Sequence, residues 1–75
     1  MKALILLNFK TYKEAVAGNA LLLARQVAKA RRNGYEVAVA PPLLDLKEVA
    51  SKVNIPVYAQ HCDHVTLGAH TGRIP

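Results

Sequence analysis

The sequence predicts an α/β fold in which strands and helices alternate along the chain. Three short, largely apolar runs predict strands at residues 3–7, 36–40 and 57–60. Short apolar runs of this kind are typical of parallel strands that are covered on both faces. Apolar residues at helical spacing lie between the runs, around residues 20–31 and 43–53. The order strand, helix, strand, helix, strand requires parallel pairing with right-handed crossovers.

The first predicted strand is followed at once by Asn8, Phe9 and Lys10. If the backbone stays extended here, Asn8 and Lys10 point to the same side, because side chains two apart in a strand share a face. In α/β folds the chemistry gathers at the carboxyl ends of the strands. We therefore expect this amide and this cation to converge on a site for an anionic substrate.

The first helix is expected to start after a loop or frayed turn at residues 12–17, with Asn19 as its N-cap. Cations in the last turn and a left-handed cap at Gly34 are expected to end it, over residues 31–34. Its predicted apolar stripe consists of Leu21, Leu22, Leu23, Ala24, Val27, Ala28 and Arg31.

The second strand is expected to stop at Pro41 and Pro42, which also suit the start of the short helix over residues 43–53. The third strand follows at residues 57–60. Residues 61–75 show no periodicity, and we expect a loop there.

The predicted topology leaves one sheet face uncovered. With the strands in the order one, two, three, both helices lie on the same face. Each apolar side chain left bare forgoes about 1.5–3 kcal/mol, so about eight of them forgo about 12–24 kcal/mol. This loss matches or exceeds the stability of a whole domain, which is about 5–15 kcal/mol. A flavodoxin-like order with helices on both faces would avoid this, but three strands are too few for it. We expect residues 1–75 to form one partial unit that is completed by further chain or by other chains.

The composition argues against several classes of partner. The net charge is +5, but the cations are scattered or lie late in a helix, and the aromatic residues do not alternate with them. We therefore expect no nucleic-acid partner. The apolar N-terminal run is too short for a signal peptide or a membrane span. Cys62 is the single cysteine and suits a reducing compartment, so a cytoplasmic location is expected.

The loop at residues 61–75 contains several side chains that could bind a metal. They follow no structural zinc spacing, and no second cysteine accompanies Cys62, so we predict no metal site. Cys62 itself is predicted to be a small loop or interface residue rather than a nucleophile. The candidate ligands are His61, Cys62, Asp63, His64 and His70.

Four motifs resemble one enzyme family. They are Asn-Phe-Lys-Thr-Tyr at 8–12, Val-Ala-Pro-Pro at 39–42, Val-Tyr-Ala-Gln-His at 57–61 and Gly-Ala-His-Thr-Gly at 68–72. In order and spacing they resemble the opening third of the triosephosphate isomerases, most closely the archaeal branch. The resemblance covers the whole chain and implies the N-terminal β-α-β-α-β portion of a TIM (β/α)8 barrel, plus its third loop.

The resemblance also implies an activity. Triosephosphate isomerases interconvert dihydroxyacetone phosphate and glyceraldehyde 3-phosphate by proton transfer through an enediolate, without a cofactor, in glycolysis and gluconeogenesis. By resemblance, Asn8 and Lys10 are the substrate-binding pair, and Lys10 offsets the charge of the phosphate and the enediolate. Outside the motif, Lys10 would be an ordinary surface lysine and Asn8 a turn residue.

Residues 61–75 resemble the family's third loop, which inserts into a neighbouring subunit. The resemblance places Thr71 at the loop tip, near Asn8 and Lys10 of the partner subunit, with His70 and Gly72 also at the interface. It implies a homo-oligomer, either a dimer or a tetramer. Dimeric members often carry an acidic residue where this chain has Arg73, so a family ion pair there is in question. The alternative is an ordinary mobile surface loop.

The family's histidine electrophile and glutamate base follow later strands. By resemblance, the present chain alone is therefore expected to be inactive unless the rest of the barrel complements it. A non-catalytic module that assembles through its bare sheet face and its loop is the alternative function. The residues that match neither acid–base motif are His61, His64, His70, Glu14, Glu36 and Glu48.

Overall fold

A computed structural model of the chain describes residues 3–13, 16, 18–30 and 35–75. Within these ranges the strands are β1 (Ala3–Asn8) and β2 (Tyr35–Ala40), and the helices are α1 (Asn19–Lys29), a 3-10 helix (Leu43–Asp45) and α2 (Leu46–Lys52). β1 and β2 pair in parallel, with Ala3 opposite Tyr35 and Asn8 opposite Ala40. The predicted parallel α/β arrangement is confirmed.

The third predicted strand is reduced to one parallel bridge between Val57 and Val39. The Val39 N–H donates to the Pro56 carbonyl at 3.1 Å, and the Tyr58 N–H donates to the Val39 carbonyl at 2.9 Å. The ladder stops there because the next donor along β2 would be Pro41, which has no N–H. Residues 57–60 are thus not a full strand, although they lie beside β2 on the side away from β1, in the predicted order.

The core lies between the sheet and the two α-helices. Ala20 and Ala24 of α1 are fully buried, as are Val39 of β2 and Val49 of α2, and all four belong to one cluster. Both helices therefore cover the same sheet face, as the strand order requires. Because Ala20 and Ala24 have small side chains, α1 can lie close to the other buried residues of the cluster. The cluster as a whole contains Phe9, Ala20, Ala24, Val39, Val49 and Ile55.

The start of α1 differs from the prediction by one residue. Gly18, with a φ of 88°, occupies the N-cap position, and Asn19 is the first helical residue. The Asn19 side chain instead donates to the Lys13 carbonyl at 3.1 Å, so the prediction of an Asn19 N-cap is wrong. Glycine is favoured at Gly18 because a positive φ brings no side-chain clash there.

The rest of α1 follows its predicted stripe, with one exception. Leu22 is 61% exposed and lies outside the core, whereas Leu21, Leu23, Val27 and Ala28 pack against it. The helix ends at Lys29 with Ala30 as its C-cap. Arg31 and the predicted terminus at residues 31–34 lie outside the described residues.

β1 is exposed on both faces, whereas the strand order predicts that only one sheet face is left uncovered. Leu4, Ile5, Leu6 and Leu7 are 58%, 50%, 51% and 43% exposed. In the described part of the chain β1 pairs only with β2, so it is an edge strand.

Among the helices of the described ranges, none has the length and apolar character that a membrane span requires.

Candidate functional site

The candidate site forms where β1 and β2 end. Phe9, just after β1, is only 3% exposed and belongs to the core cluster. Its N–H donates to the Ala40 carbonyl at 3.0 Å, extending the ladder by one bond. Because side chains alternate, burial of Phe9 on the helix side directs Asn8 toward the opposite sheet face. Phe9 thus anchors the segment that carries both Asn8 and Lys10.

The backbone is not extended at Lys10, contrary to the geometry assumed for the pair. Lys10 has a φ of 52°, the only positive φ at a non-glycine residue in the described part of the chain. Such a conformation costs a non-glycine residue about 1–2 kcal/mol. The chain therefore turns sharply at the very residue expected to meet the substrate.

Asn8 bonds to the backbone of Lys10, whereas the convergence of the two side chains stays a prediction. The Lys10 N–H donates to Asn8 Oδ1 at 2.8 Å, so the Asn8 side chain folds over the backbone two residues later. This is an Asx turn, a local bond that asparagine makes readily. Asn8 thereby stabilises the turn that determines where the exposed Lys10 side chain projects.

A third side chain at this site was given no role from the sequence. The Gln60 amide donates through Nε2 to the carbonyl of Lys10 and to the carbonyl of Ala40, both at 3.1 Å. The signal that could have identified it is the Pro41-Pro42 pair. Neither proline has an N–H, so the chain after Ala40 offers no backbone donor at this edge, where a side-chain amide can take that place.

The loop at residues 61–75 is closed at its base by Asp63. The Ile74 N–H donates to Asp63 Oδ2 at 2.6 Å, and the Asp63 N–H donates to the Ile74 carbonyl. Arg73 Nε lies 3.4 Å from Asp63 Oδ1, and His61 Nε2 lies 3.5 Å from Asp63 Oδ2. Arg73 therefore has an acidic partner within its own chain.

These contacts change the acidity of Asp63. The hydrogen bond from the Ile74 N–H is the main cause that lowers the pKa of the Asp63 carboxyl below its ordinary value of 3.8, with smaller contributions from His61 and Arg73. Partial burial opposes the shift. The charged form of Asp63 is thus the one that holds the loop closed.

The predicted interface residues lie within this closed loop. His70, Thr71 and Gly72 are all exposed, and the His70 N–H donates to the Gly68 carbonyl at 2.9 Å. Gly72 has a φ of 76°, so the chain turns just after Thr71. Their contact with a second subunit stays a prediction.

Cys62 is exposed, and no three acidic, histidine or cysteine residues among those described form a group that could hold a metal.

Comparison with known proteins identifies the family. A family model described as triosephosphate isomerase matches residues 3–75. The chain belongs to the triosephosphate isomerase family. A parallel β1–β2 pair with helices on one face agrees with the N-terminal part of the TIM barrel expected from the four motifs.

Archaeal triosephosphate isomerases are among the similar proteins. The chain is 46% identical to the one from Methanothermus fervidus over 74 residues, which is 97% of this chain and 33% of that protein. It is 47% identical to the one from Caldivirga maquilingensis over 72 residues, which is 95% of this chain and 32% of that protein. The chain thus spans about a third of the length of the curated relatives it matches.

Proposed function

We propose that this chain is part of a triosephosphate isomerase that interconverts dihydroxyacetone phosphate and glyceraldehyde 3-phosphate. The observation that carries the proposal is the family match over residues 3–75. The strand-end turn supports it, because it places a lysine and an asparagine at the edge where α/β enzymes bind their substrates.

The proposed role of Lys10 is electrostatic. The substrate carries a phosphate, and removal of a proton next to its carbonyl creates an enediolate with further negative charge. An ammonium held near both charges stabilises the enediolate more than the neutral carbonyl, and this difference lowers the barrier. Asn8 orients the substrate or, through its bond to the Lys10 N–H, the lysine itself.

The proton transfers require groups beyond this chain. Because Lys10 is assigned the electrostatic role, we propose that an acid–base pair from the rest of the barrel carries out the proton transfers. His61, His64 and His70 all lie in the loop at residues 61–75, which we propose contacts a second subunit through Thr71. Under this proposal the chain alone is inactive, and the completed enzyme is a cytoplasmic homo-oligomer without a cofactor.

A hybrid enzyme tests the function. Residues 1–75 would replace the matching residues of the Methanothermus fervidus triosephosphate isomerase, and isomerisation of glyceraldehyde 3-phosphate would be assayed. We expect the hybrid to be active and the 75-residue chain alone to be inactive. A second hybrid, built in the Caldivirga maquilingensis protein, controls for a mismatch with one host. Folded but inactive hybrids in both hosts would contradict the proposal.

A non-catalytic assembly module is the second candidate function. The four exposed apolar residues of β1 favour it, since an edge strand with such side chains pairs readily with another chain. Gel filtration with light scattering on the 75-residue chain distinguishes the candidates. A folded, stable monomer would exclude assembly through this face.

A further inference from the structure

We propose that Gln60 is a positioning residue that holds the Lys10 backbone in its positive-φ turn and so directs the lysine toward the substrate. The inference rests on the proposed function for the role of Lys10. It extends that function to a residue which need not touch the substrate.

The geometry fixes the Lys10 peptide from two sides. Its N–H donates to the Asn8 side chain at 2.8 Å, and its carbonyl accepts from the Gln60 side chain at 3.1 Å. Asn8 ends β1 and pairs with Ala40, so its bond fixes the Lys10 N–H to the first strand, and the Lys10 carbonyl needs a second fixed reference. Gln60 lies fifty residues further along the chain and supplies the fixed reference.

The second bond of Gln60 makes that reference rigid. The Ala40 carbonyl accepts both from Gln60 Nε2 at 3.1 Å and from the Phe9 N–H at 3.0 Å. Ala40 is 3% exposed and ends β2, so this carbonyl belongs to the most buried part of the sheet. One planar amide therefore uses its two N–H donors to join the Lys10 turn to the end of β2.

No neighbouring backbone group can replace Gln60 on β2. The residues that follow Ala40 are Pro41 and Pro42, neither of which has an N–H. Without the Gln60 amide, the Lys10 carbonyl would bond to water, and the strained turn would lose its long-range link. We expect Lys10 then to relax toward a negative φ, which swings its side chain away from its present direction.

A double-mutant cycle in the hybrid enzyme tests whether Gln60 acts through Lys10. Gln60→Ala should lower kcat about 10-fold or more when Lys10 is present, since small misplacements of catalytic groups have effects of this size. In a Lys10→Ala background the same change should lower the residual kcat less than about 2-fold. Equal losses in both backgrounds would mean that Gln60 acts independently of Lys10 and would overturn the inference.

Two further variants separate positioning from general damage. Gln60→Glu has nearly the same size but presents acceptors to two carbonyls, so we expect it to be at least as impaired as Gln60→Ala; near-normal kcat would overturn the inference. Gln26→Ala removes a glutamine from the exposed side of α1 and should leave kcat unchanged. Should Gln60→Ala not fold, Gln60→Asn replaces it in the cycle, because its shorter amide cannot span both carbonyls.

A crystal structure of the Gln60→Ala hybrid gives a readout independent of activity. We expect the φ of Lys10 to leave the positive region, whereas a value that stays near 52° would overturn the inference. An inactive but folded parent hybrid would defeat the proposed function and would leave this structural comparison to decide the role of Gln60.

Discussion

At the scale of single residues, two polar side chains hold one residue in an unfavourable backbone conformation. Lys10 bears the positive φ, Asn8 accepts from its N–H, and Gln60 donates to its carbonyl. A lysine is a poor choice for such a turn on conformational grounds, because glycine would adopt it without strain. Its presence there is understandable if the ammonium is needed at this spot. Strain of this kind is often found at functional sites.

Removal of the Lys10 ammonium should therefore impair catalysis rather than folding. We expect Lys10→Ala in the hybrid enzyme to lower kcat/KM about 100- to 1,000-fold, the range for loss of one electrostatic contact to the reacting oxygen. Steady-state kinetics measure this, and circular dichroism checks the fold. Lys13→Ala, an exposed lysine three residues later, is the matched control and should keep normal turnover. Near-normal turnover for Lys10→Ala would show that the substrate role is wrong.

The Asp63 carboxylate should respond to pH in a defined direction. Its folded pKa lies below the ordinary 3.8, so its stabilisation of the closed loop is fully present above that value. The stabilisation is lost as pH falls through the lower folded pKa. NMR titration of the Asp63 carboxyl carbon in the chain should give a midpoint below that in a peptide of residues 61–65, which lacks Ile74 and Arg73. Equal midpoints would mean that the loop is open in solution.

At the scale of elements, α1 fits the sheet because its innermost residues are small. Ala20 and Ala24 are both fully buried in the cluster that also includes Val39 and Val49. The helical spacing of apolar residues predicts this stripe well. The spacing does not show that Leu22 points to solvent, although this residue adjoins the stripe in sequence. The reason is that packing decides how a helix is rotated about its axis.

A larger side chain in this stripe should destabilise the fold. Ala24→Leu adds three carbons to a fully buried side chain, and we expect it to lower the free energy of unfolding by about 1–3 kcal/mol. Urea denaturation of the hybrid enzyme measures the change. Gln26→Leu places the same residue on the exposed side of α1 and should stay within about 0.5 kcal/mol of the parent. If both variants lose equal stability, the packing described for α1 is wrong.

At the scale of the whole molecule, two exposed regions of the chain call for contacts with further strands or subunits. The apolar side chains of β1 are about half exposed, and the loop at residues 61–75 is closed at its base by Asp63 while its Thr71 region is exposed. A family in which eight strands close into a barrel accounts for the first feature. Contact with another subunit, as we propose, accounts for the second.

The loop contact can be tested through association. We expect Thr71→Glu in the hybrid enzyme to weaken subunit association about 10-fold or more, since a charge would be buried without a partner. Sedimentation velocity over a dilution series measures it. Thr66→Glu introduces the same charge at another exposed threonine of the loop and should have little effect. If Thr71→Glu left subunit association unchanged, the proposed contact of this loop with a second subunit would be wrong.

The sequence by itself determined the α/β class, the parallel order, the apolar stripe of α1 and the family, because periodicity and local motifs depend on residues close together in the chain. Only the tertiary structure decided the turn at Lys10, the single bridge at Val57, the exposure of both faces of β1 and the hydrogen bonds of Gln60. These depend on which donors and surfaces meet in space. The Gln60 bonds join residues 20 and 50 positions apart, and no local pattern encodes such a meeting.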